Sequence, residues 1–295
     1  MTVTHDAARE PARIFATPKV PEIFLVFWVI KLLTTGIGET ASDFMGTHSL
    51  VVAGVVGVGG FFLALWLQLR ADAYHPVRYW VTVLMVAVFG TMIADGPHVA
   101  LGTPYYVDSA IYLVLLVGLL SWWRRTEGTL SVHSITTPRR ERFYWGTVLL
   151  TFGLGTALGD TTAENLHLGF AWSILVFASL MLLPLAVWAY AGRTRSDAPG
   201  SAAAAAAVSV ATFWAAYSLT RPLGASIADW MATKHGLHWG TGPVTFVGLI
   251  LFGLLVCYVA VTHSDVEGAH VARGSRSDAS ALDDDDADDD EAVAV

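Results

Sequence analysis

The stretch FWVIKLLTTGIGETASD, residues 27–43, contains three residues whose spacing recurs along the chain. An aromatic residue precedes Trp28, Gly38 follows that Trp by ten positions, and Asp43 follows it by fifteen. The pattern returns without a gap in three further segments, as Trp80, Gly90 and Asp95, as Trp145, Gly155 and Asp160, and as Trp214, Gly224 and Asp229. Three identities at fixed spacing in four segments indicate an internal repeat.

The composition places this repeat in a membrane. Of the 295 residues, 54% are apolar and 14% are charged, whereas soluble domains carry about 25% charged residues. Apolar runs of about 20 residues, the length that crosses a bilayer, recur eight times. The predicted spans are 21–45, 49–69, 78–94, 105–123, 143–163, 168–190, 203–231 and 242–262.

Each copy of the pattern opens one span and is followed by a second, less distinctive span, so the predicted unit is a two-helix hairpin. Two helices return the chain to its starting side, and all hairpins therefore insert with the same orientation. The predicted fold class is an all-α polytopic membrane protein, with eight transmembrane helices as four parallel two-helix repeats.

Basic residues predict the orientation. Fourteen Lys and Arg residues fall in the arm 1–20, in the loops after the second, fourth and sixth spans and in the tail, whereas the alternate loops contain only Lys234. By the positive-inside rule, both termini are cytoplasmic and the protein lies in the cytoplasmic membrane. The predicted divisions are the arm 1–20, membrane repeats 21–123, a basic loop 124–142, membrane repeats 143–262 with a linker at 191–202, and a disordered acidic tail 263–295.

The net charge of −8 is a property of that tail. Residues 264–295 contain 11 acids and two bases, so the rest of the chain carries about +1. A nucleic-acid partner is not expected because there is no basic stripe. The lipid bilayer is the expected partner, and the sequence leaves homo-oligomerisation open.

The chain resembles a bacterial family of multi-pass membrane proteins built from four tandem two-helix repeats of unknown function, each with a characteristic Trp. The resemblance covers roughly residues 21–262. The segments that carry it are residues 28–43, GTALGD at 155–160 and TRPLGASIAD at 220–229. The resemblance implies the helical architecture and membrane anchoring, and it does not indicate an enzymatic reaction.

The repeated Trp and Gly residues are predicted to be structural. Trp at the start of a span suits anchoring at the lipid headgroups. Glycine near the middle of a span lets helices approach closely, so the four glycines are expected where the odd-numbered helices meet.

The acidic residues inside the spans are the candidate ion-binding residues, because a carboxylate there costs about 2.5–3.5 kcal/mol and is kept only where it faces protein or water. The set, with two threonines on the same helix faces, is Glu39, Asp43, Asp95, Asp160, Glu164, Asp229, Thr35 and Thr156. Lys31 and Arg221 are the candidate counter-ions. Six acids against two bases cannot persist unless a cation is bound or several carboxyls are protonated. Oxygen ligands favour a hard cation or a proton, and the metal is not specified by the sequence.

Three functions compete. The leading hypothesis is a transporter of a small cation, either a divalent metal or a proton-coupled one. The alternative is a membrane scaffold or regulator whose acids only join helices or end them, as Asp95-Gly96-Pro97 is expected to end its span. An intramembrane enzyme acting on lipid is disfavoured, because no catalytic or nucleotide-binding motif occurs and no nucleophile can be named. No cofactor is expected, and the histidines that follow the repeat Asp residues are interpreted as ordinary loop residues.

Overall fold

The computed structural model describes Phe15, residues 18–193 and residues 201–265. The predictions for the rest of the N-terminal arm, for most of the linker and for the acidic tail beyond residue 265 lie outside these residues.

Regular structure in the described ranges is helical, without strands. The long helices are α1 (Leu25–His48), α2 (Leu50–Arg70), α3 (Pro76–Leu101), α4 (Tyr105–Glu127), α5 (Pro138–Asp160), α6 (Gly169–Arg193), α7 (Ser201–Ala232) and α8 (Thr241–Thr262). Helix α2 is wound as a π-helix over Ala53–Gly59, and α5 continues into a π-helical turn at Thr161–Asn165.

Six of these helices, namely α2, α3, α4, α6, α7 and α8, are long and apolar enough to cross a membrane. This is typical of a membrane protein. Helix α5, which is not among the six, buries 14 of its 23 residues, whereas α6 buries three of its 25. Much of the surface of α5 therefore contacts other helices.

The helices that carry the Trp-Gly-Asp pattern form a closed ring. Helix α1 packs against α3, α3 against α5, α5 against α7, and α7 against α1. Each repeat glycine faces the residue three positions before the glycine of the next helix in the ring. The pairs are Gly38 with Ala87, Gly90 with Phe152, Gly155 with Arg221, and Gly224 with Thr35. The prediction that these glycines lie where the odd-numbered helices meet is confirmed.

The aromatic residues repeat the same cyclic order at one end of the ring, which we call the aromatic end. The aromatic residue that opens each pattern contacts the Trp of the next helix. The pairs are Phe27 with Trp80, Tyr79 with Trp145, Tyr144 with Trp214, and Phe213 with Trp28. The predicted headgroup anchoring is wrong for Trp80, Trp145 and Trp214, which are buried. Their indoles pack against other rings, where aromatic pairs stabilise the helix contacts.

The even-numbered helices surround the ring. Helix α2 packs on α3, α4 on α5, α6 on α7, and α8 on α1. The two helices of one hairpin make few contacts with each other. Each second helix thus covers the outer side of the first helix of the following repeat, and α8 closes the circle on α1.

The expectation that Asp95-Gly96-Pro97 ends its span is also wrong, because α3 continues to Leu101. A proline inside a helix cannot donate to the carbonyl four residues earlier, here that of Ile93. The hydroxyl of Tyr112, on α4, donates to the Ile93 carbonyl at 2.6 Å. The freed carbonyl is therefore satisfied and the helix can continue.

Connecting segments cover the aromatic end. The ammonium group of Lys19 donates to a carboxylate oxygen of Glu141 at 2.5 Å and to the carbonyl of Gln68 at 3.1 Å, and both charged side chains are buried. Asp265, after α8, accepts a hydrogen bond from the hydroxyl of Tyr74. Burial raises the pKa of the Asp265 carboxyl above its ordinary value, and the hydrogen bond from Tyr74 lowers it in part. Segments near the N-terminus and the C-terminus of the described chain thus both lie at the aromatic end.

A side chain at Gly38 should disrupt the ring. A Cβ at this position would lie 2.5 Å from the Cβ of Ala87 and 2.8 Å from its carbonyl carbon, so α1 and α3 would have to separate. We expect Gly38→Val to lower the stability by about 1–3 kcal/mol, the usual cost of overpacking. The measurement is the Tm of the purified protein in detergent. Gly118→Val on α4 is the matched control, because nothing lies within 4 Å of a Cβ at that position. Equal losses in Tm would contradict the glycine contacts.

The Lys19 and Glu141 pair should be a large contributor to stability. Lys19→Met leaves the buried carboxylate of Glu141 without its cation, which typically costs about 3–5 kcal/mol. Thermal unfolding in detergent measures this loss. The exposed Arg142→Met is the control, and the double variant Lys19→Met/Glu141→Leu should recover much of the Tm because it leaves no buried charge unpaired. A single variant as stable as the control would show that the pair is not needed.

Candidate functional site

Two layers of side chains lie next to the ring glycines. The residues directly after the glycines form the inner layer, which is Glu39, Thr91, Thr156 and Ala225. The residues four positions further on form the Asp layer, which is Asp43, Asp95, Asp160 and Asp229. At 1.5 Å per residue, the two layers are about 6 Å apart along the helices. The inner layer is the nearer of the two to the aromatic end, and we call the opposite end the carboxylate end.

Arg221 joins all four helices of the ring through the inner layer. Its guanidinium donates to the carboxylate of Glu39 at 2.7 Å, to the hydroxyl of Thr156 at 2.6 Å and to the hydroxyl of Thr91. It also donates to the backbone carbonyl of Thr35 at 2.7 Å. Arg221 and Glu39 are buried. The pair is therefore a charge-assisted hydrogen bond away from solvent. The two threonine hydroxyls accept further hydrogen bonds from the guanidinium.

Local sequence explains why Arg221 fits. Its side chain starts from the position that faces Gly155 of the neighbouring helix, where a Cβ would collide with it. On its own helix, the inner-layer position is the small Ala225. Two small residues therefore leave room for one large side chain inside the ring.

The acids of the Asp layer approach Glu39 from the other side. Glu39, Asp43 and Asp229 each offer a carboxylate oxygen, and these three atoms lie within 4.8 Å of one another. Asp229 is buried and Asp43 is half-buried. Asp95 and Asp160 are also half-buried and lie close enough to Glu39 to interact with it electrostatically. The structure thus brings all four repeat Asp residues to one region.

This spacing of oxygens suits a hard cation. Calcium binds oxygen ligands at about 2.3–2.6 Å and magnesium at about 2.0–2.1 Å, so two oxygens on opposite sides of one ion lie roughly 4–5 Å apart. Glu39, Asp43 and Asp229 could therefore coordinate a single ion together. The remaining acids would add negative charge nearby.

Other predicted site residues lie elsewhere. The Lys31 ammonium lies over the rings of Phe152 and Tyr217, at 4.0 and 4.3 Å from their centroids. It has no hydrogen-bond partner among the described residues, so the structure brings Arg221, and not Lys31, to an acid. The hydroxyl of Thr35 donates to backbone carbonyls, and Glu164 is exposed on the π-helical turn after α5.

Thr91 is the contact residue that the predicted set did not include. The available signal was its place directly after a repeat glycine, the position that Glu39 and Thr156 also occupy. Two of the histidines that follow the repeat acids bond to nearby backbone instead. His48 contacts the carbonyl of Phe44 and His98 that of Thr103, each at 2.8 Å.

Comparison with known proteins identifies a family but does not indicate an activity. A repeat family described as "Repeat of Unknown Function (DUF347)" matches residues 78–129, 143–194 and 212–265. No curated protein and no solved structure matches the chain. The three matched segments cover most of α3 with α4, of α5 with α6, and of α7 with α8. Because they cover more than half of the 295 residues, the chain belongs to this family of repeats of unknown function.

Proposed function

We propose that this protein is a membrane transporter of a small cation, either a divalent metal or a proton-coupled one. The observation that carries the proposal is the meeting of Glu39, Asp43 and Asp229, whose carboxylate oxygens lie within 4.8 Å of one another. They meet where α1 packs against α7, which is one of the six long apolar helices. Ionisable groups in such a place are costly to keep and commonly belong to ion pathways. The ion would bind between the Asp layer and Glu39.

The proposal includes a full membrane topology. All eight helices cross the cytoplasmic membrane as four parallel repeats, with both termini in the cytoplasm. Support for a fourth repeat comes from α1, whose Gly38 and Trp28 take their places in the same cyclic contacts as the matched repeats. Support for the orientation comes from the basic loops, which lie on the side that the positive-inside rule assigns to the cytoplasm.

In this mechanism the cation enters from the carboxylate end. The aromatic contacts block the other end, and the Arg221 and Glu39 pair lies between the two. Passage requires the aromatic end to open while the carboxylate end closes, as in alternating access by helix bundles moving against each other. The glycine contacts are the surfaces along which the helices of the ring would slide.

A scaffold or regulator is the second candidate, and one observation favours it. Glu39 is already neutralised by Arg221 and accepts hydrogen bonds from Thr91 and Thr156, as a purely structural acid would. In that case the remaining acids would hold helices together, and the loops at the aromatic end would bind a partner.

The two functions are separated by flux in proteoliposomes loaded with a metal indicator or a pH indicator. We expect flux of protons or of one of Mg²⁺, Ca²⁺, Mn²⁺ and Zn²⁺ through the unaltered protein. We expect Asp43→Asn/Asp229→Asn to reduce it by more than roughly tenfold, because two of three carboxylate ligands are lost. The control is Glu127→Gln, an acid at the aromatic end that pairs with Arg139 and Arg140.

Two outcomes would oppose transport. A folded double variant with unchanged flux would show that the carboxylates are not ligands. Unaltered protein with no more flux than empty vesicles, for every ion tested, would favour the scaffold.

A further inference from the structure

The guanidinium of Arg221 is held as a bound cation would be held. Four oxygens converge on it: the carboxylate of Glu39, the hydroxyls of Thr91 and Thr156, and the backbone carbonyl of Thr35. These oxygens come from three helices other than its own. Carboxylate, hydroxyl and carbonyl oxygens are also the ligands of hard metal cations.

The positive charge of Arg221 has no counterpart at the equivalent positions of the other three repeats. The residues equivalent to Arg221 in the other three helices are Thr35, Ala87 and Phe152, and none is charged. Three of the four inner-layer positions supply an oxygen and the fourth is Ala225. Without the guanidinium, the inner layer would be a set of oxygens with one carboxylate and no cation.

The charge count defines the ligand class. One carboxylate and three neutral oxygens balance a single positive charge, which is what Arg221 supplies. A second buried basic group, Lys31, lies on the aromatic side with no hydrogen-bond partner in the described part of the chain. The aromatic contacts close the ring on that side. An ion in the inner layer would therefore exchange with the Asp layer, about 6 Å away, and not with the aromatic end.

The geometry points to the inner layer as a monovalent-cation site that Arg221 occupies as a tethered cation. Glu39 belongs both to this site and to the carboxylate triad with Asp43 and Asp229. An ion in the triad and the guanidinium of Arg221 therefore compete for one carboxylate. This inference deepens the proposed function and rests on it for the role of the competition in ion release, but its binding test needs no transport.

The test removes the tethered cation and offers a free one. It is made in an Asp43→Asn/Asp229→Asn background, so that the carboxylate triad with Glu39 is removed. Arg221→Met in this background leaves Glu39 buried and unpaired, and the Tm in detergent should fall. Millimolar guanidinium or sodium chloride should then raise the Tm by a few degrees relative to choline chloride at equal ionic strength, because an ion that binds only the folded state stabilises it.

Two controls define the site. The background protein that keeps Arg221 should show no difference between the three salts. Adding Glu39→Gln to the Arg221→Met protein should remove the response, because the site loses its only carboxylate.

Each remaining outcome overturns the inference. Arg221→Met protein with the same Tm in all three salts contradicts it, and so does protein that aggregates equally in all three. A salt response that survives Glu39→Gln places the ion elsewhere. A positive result together with absent flux would retain the inner site and reject transport, so the two proposals fail separately.

Discussion

The close approach of four helices at their glycines is the constraint on which the rest of the structure depends. At each crossing a glycine faces a residue of the next helix, and at Gly38 and Gly90 a Cβ would lie within 2.6 Å of the neighbouring Cβ. The residues one and five positions after each glycine are four positions apart, so they share one helix face beside the crossing. Contacts that hold the helices together therefore also gather the inner layer and the Asp layer. The packing of the four helices and the position of the site thus both depend on the repeated glycine.

The buried charges of Glu39 and Arg221 are tolerable because the two groups are paired with each other. An isolated ion in the interior costs several kcal/mol, and the cost is recovered only with good geometry and further hydrogen bonds. Arg221 has a carboxylate, two hydroxyls and a carbonyl around it. Lys31 lacks an acceptor in the described residues and instead lies over the faces of two aromatic rings. Arg221 is thus surrounded by oxygen atoms and Lys31 by aromatic rings, although both residues lie inside the ring.

Much of the fold could be predicted because it follows from spacing. The spacing from Trp to Gly to Asp predicted that the odd-numbered helices meet and that their acids share a depth. The apolar runs predicted the helical segments to within about five residues, except at the C-terminal end of α3. Three features could not be predicted, because they depend on which neighbour each residue meets. The burial of Trp80 depends on Phe27 in another repeat, the continuation of α3 past Pro97 depends on Tyr112 in α4, and the packing of each even helix depends on the following repeat. In the site, the repeat identified the acids, but spacing within one helix could not show that Arg221 and not Lys31 reaches Glu39.

The residues inside the ring depart from four-fold repetition, and this has a physical reason. A central position can hold only one large side chain, so four equivalent helices cannot each supply an arginine. Glu39 and Arg221 come from the first and last helices of the ring, 182 residues apart. The pair cannot form until α7 has been inserted, and α1 also lacks its outer cover until α8 arrives. Helix α1, which carries Glu39 and Asp43, therefore becomes fully partnered last, so these charged residues remain without their final partners until the ring closes.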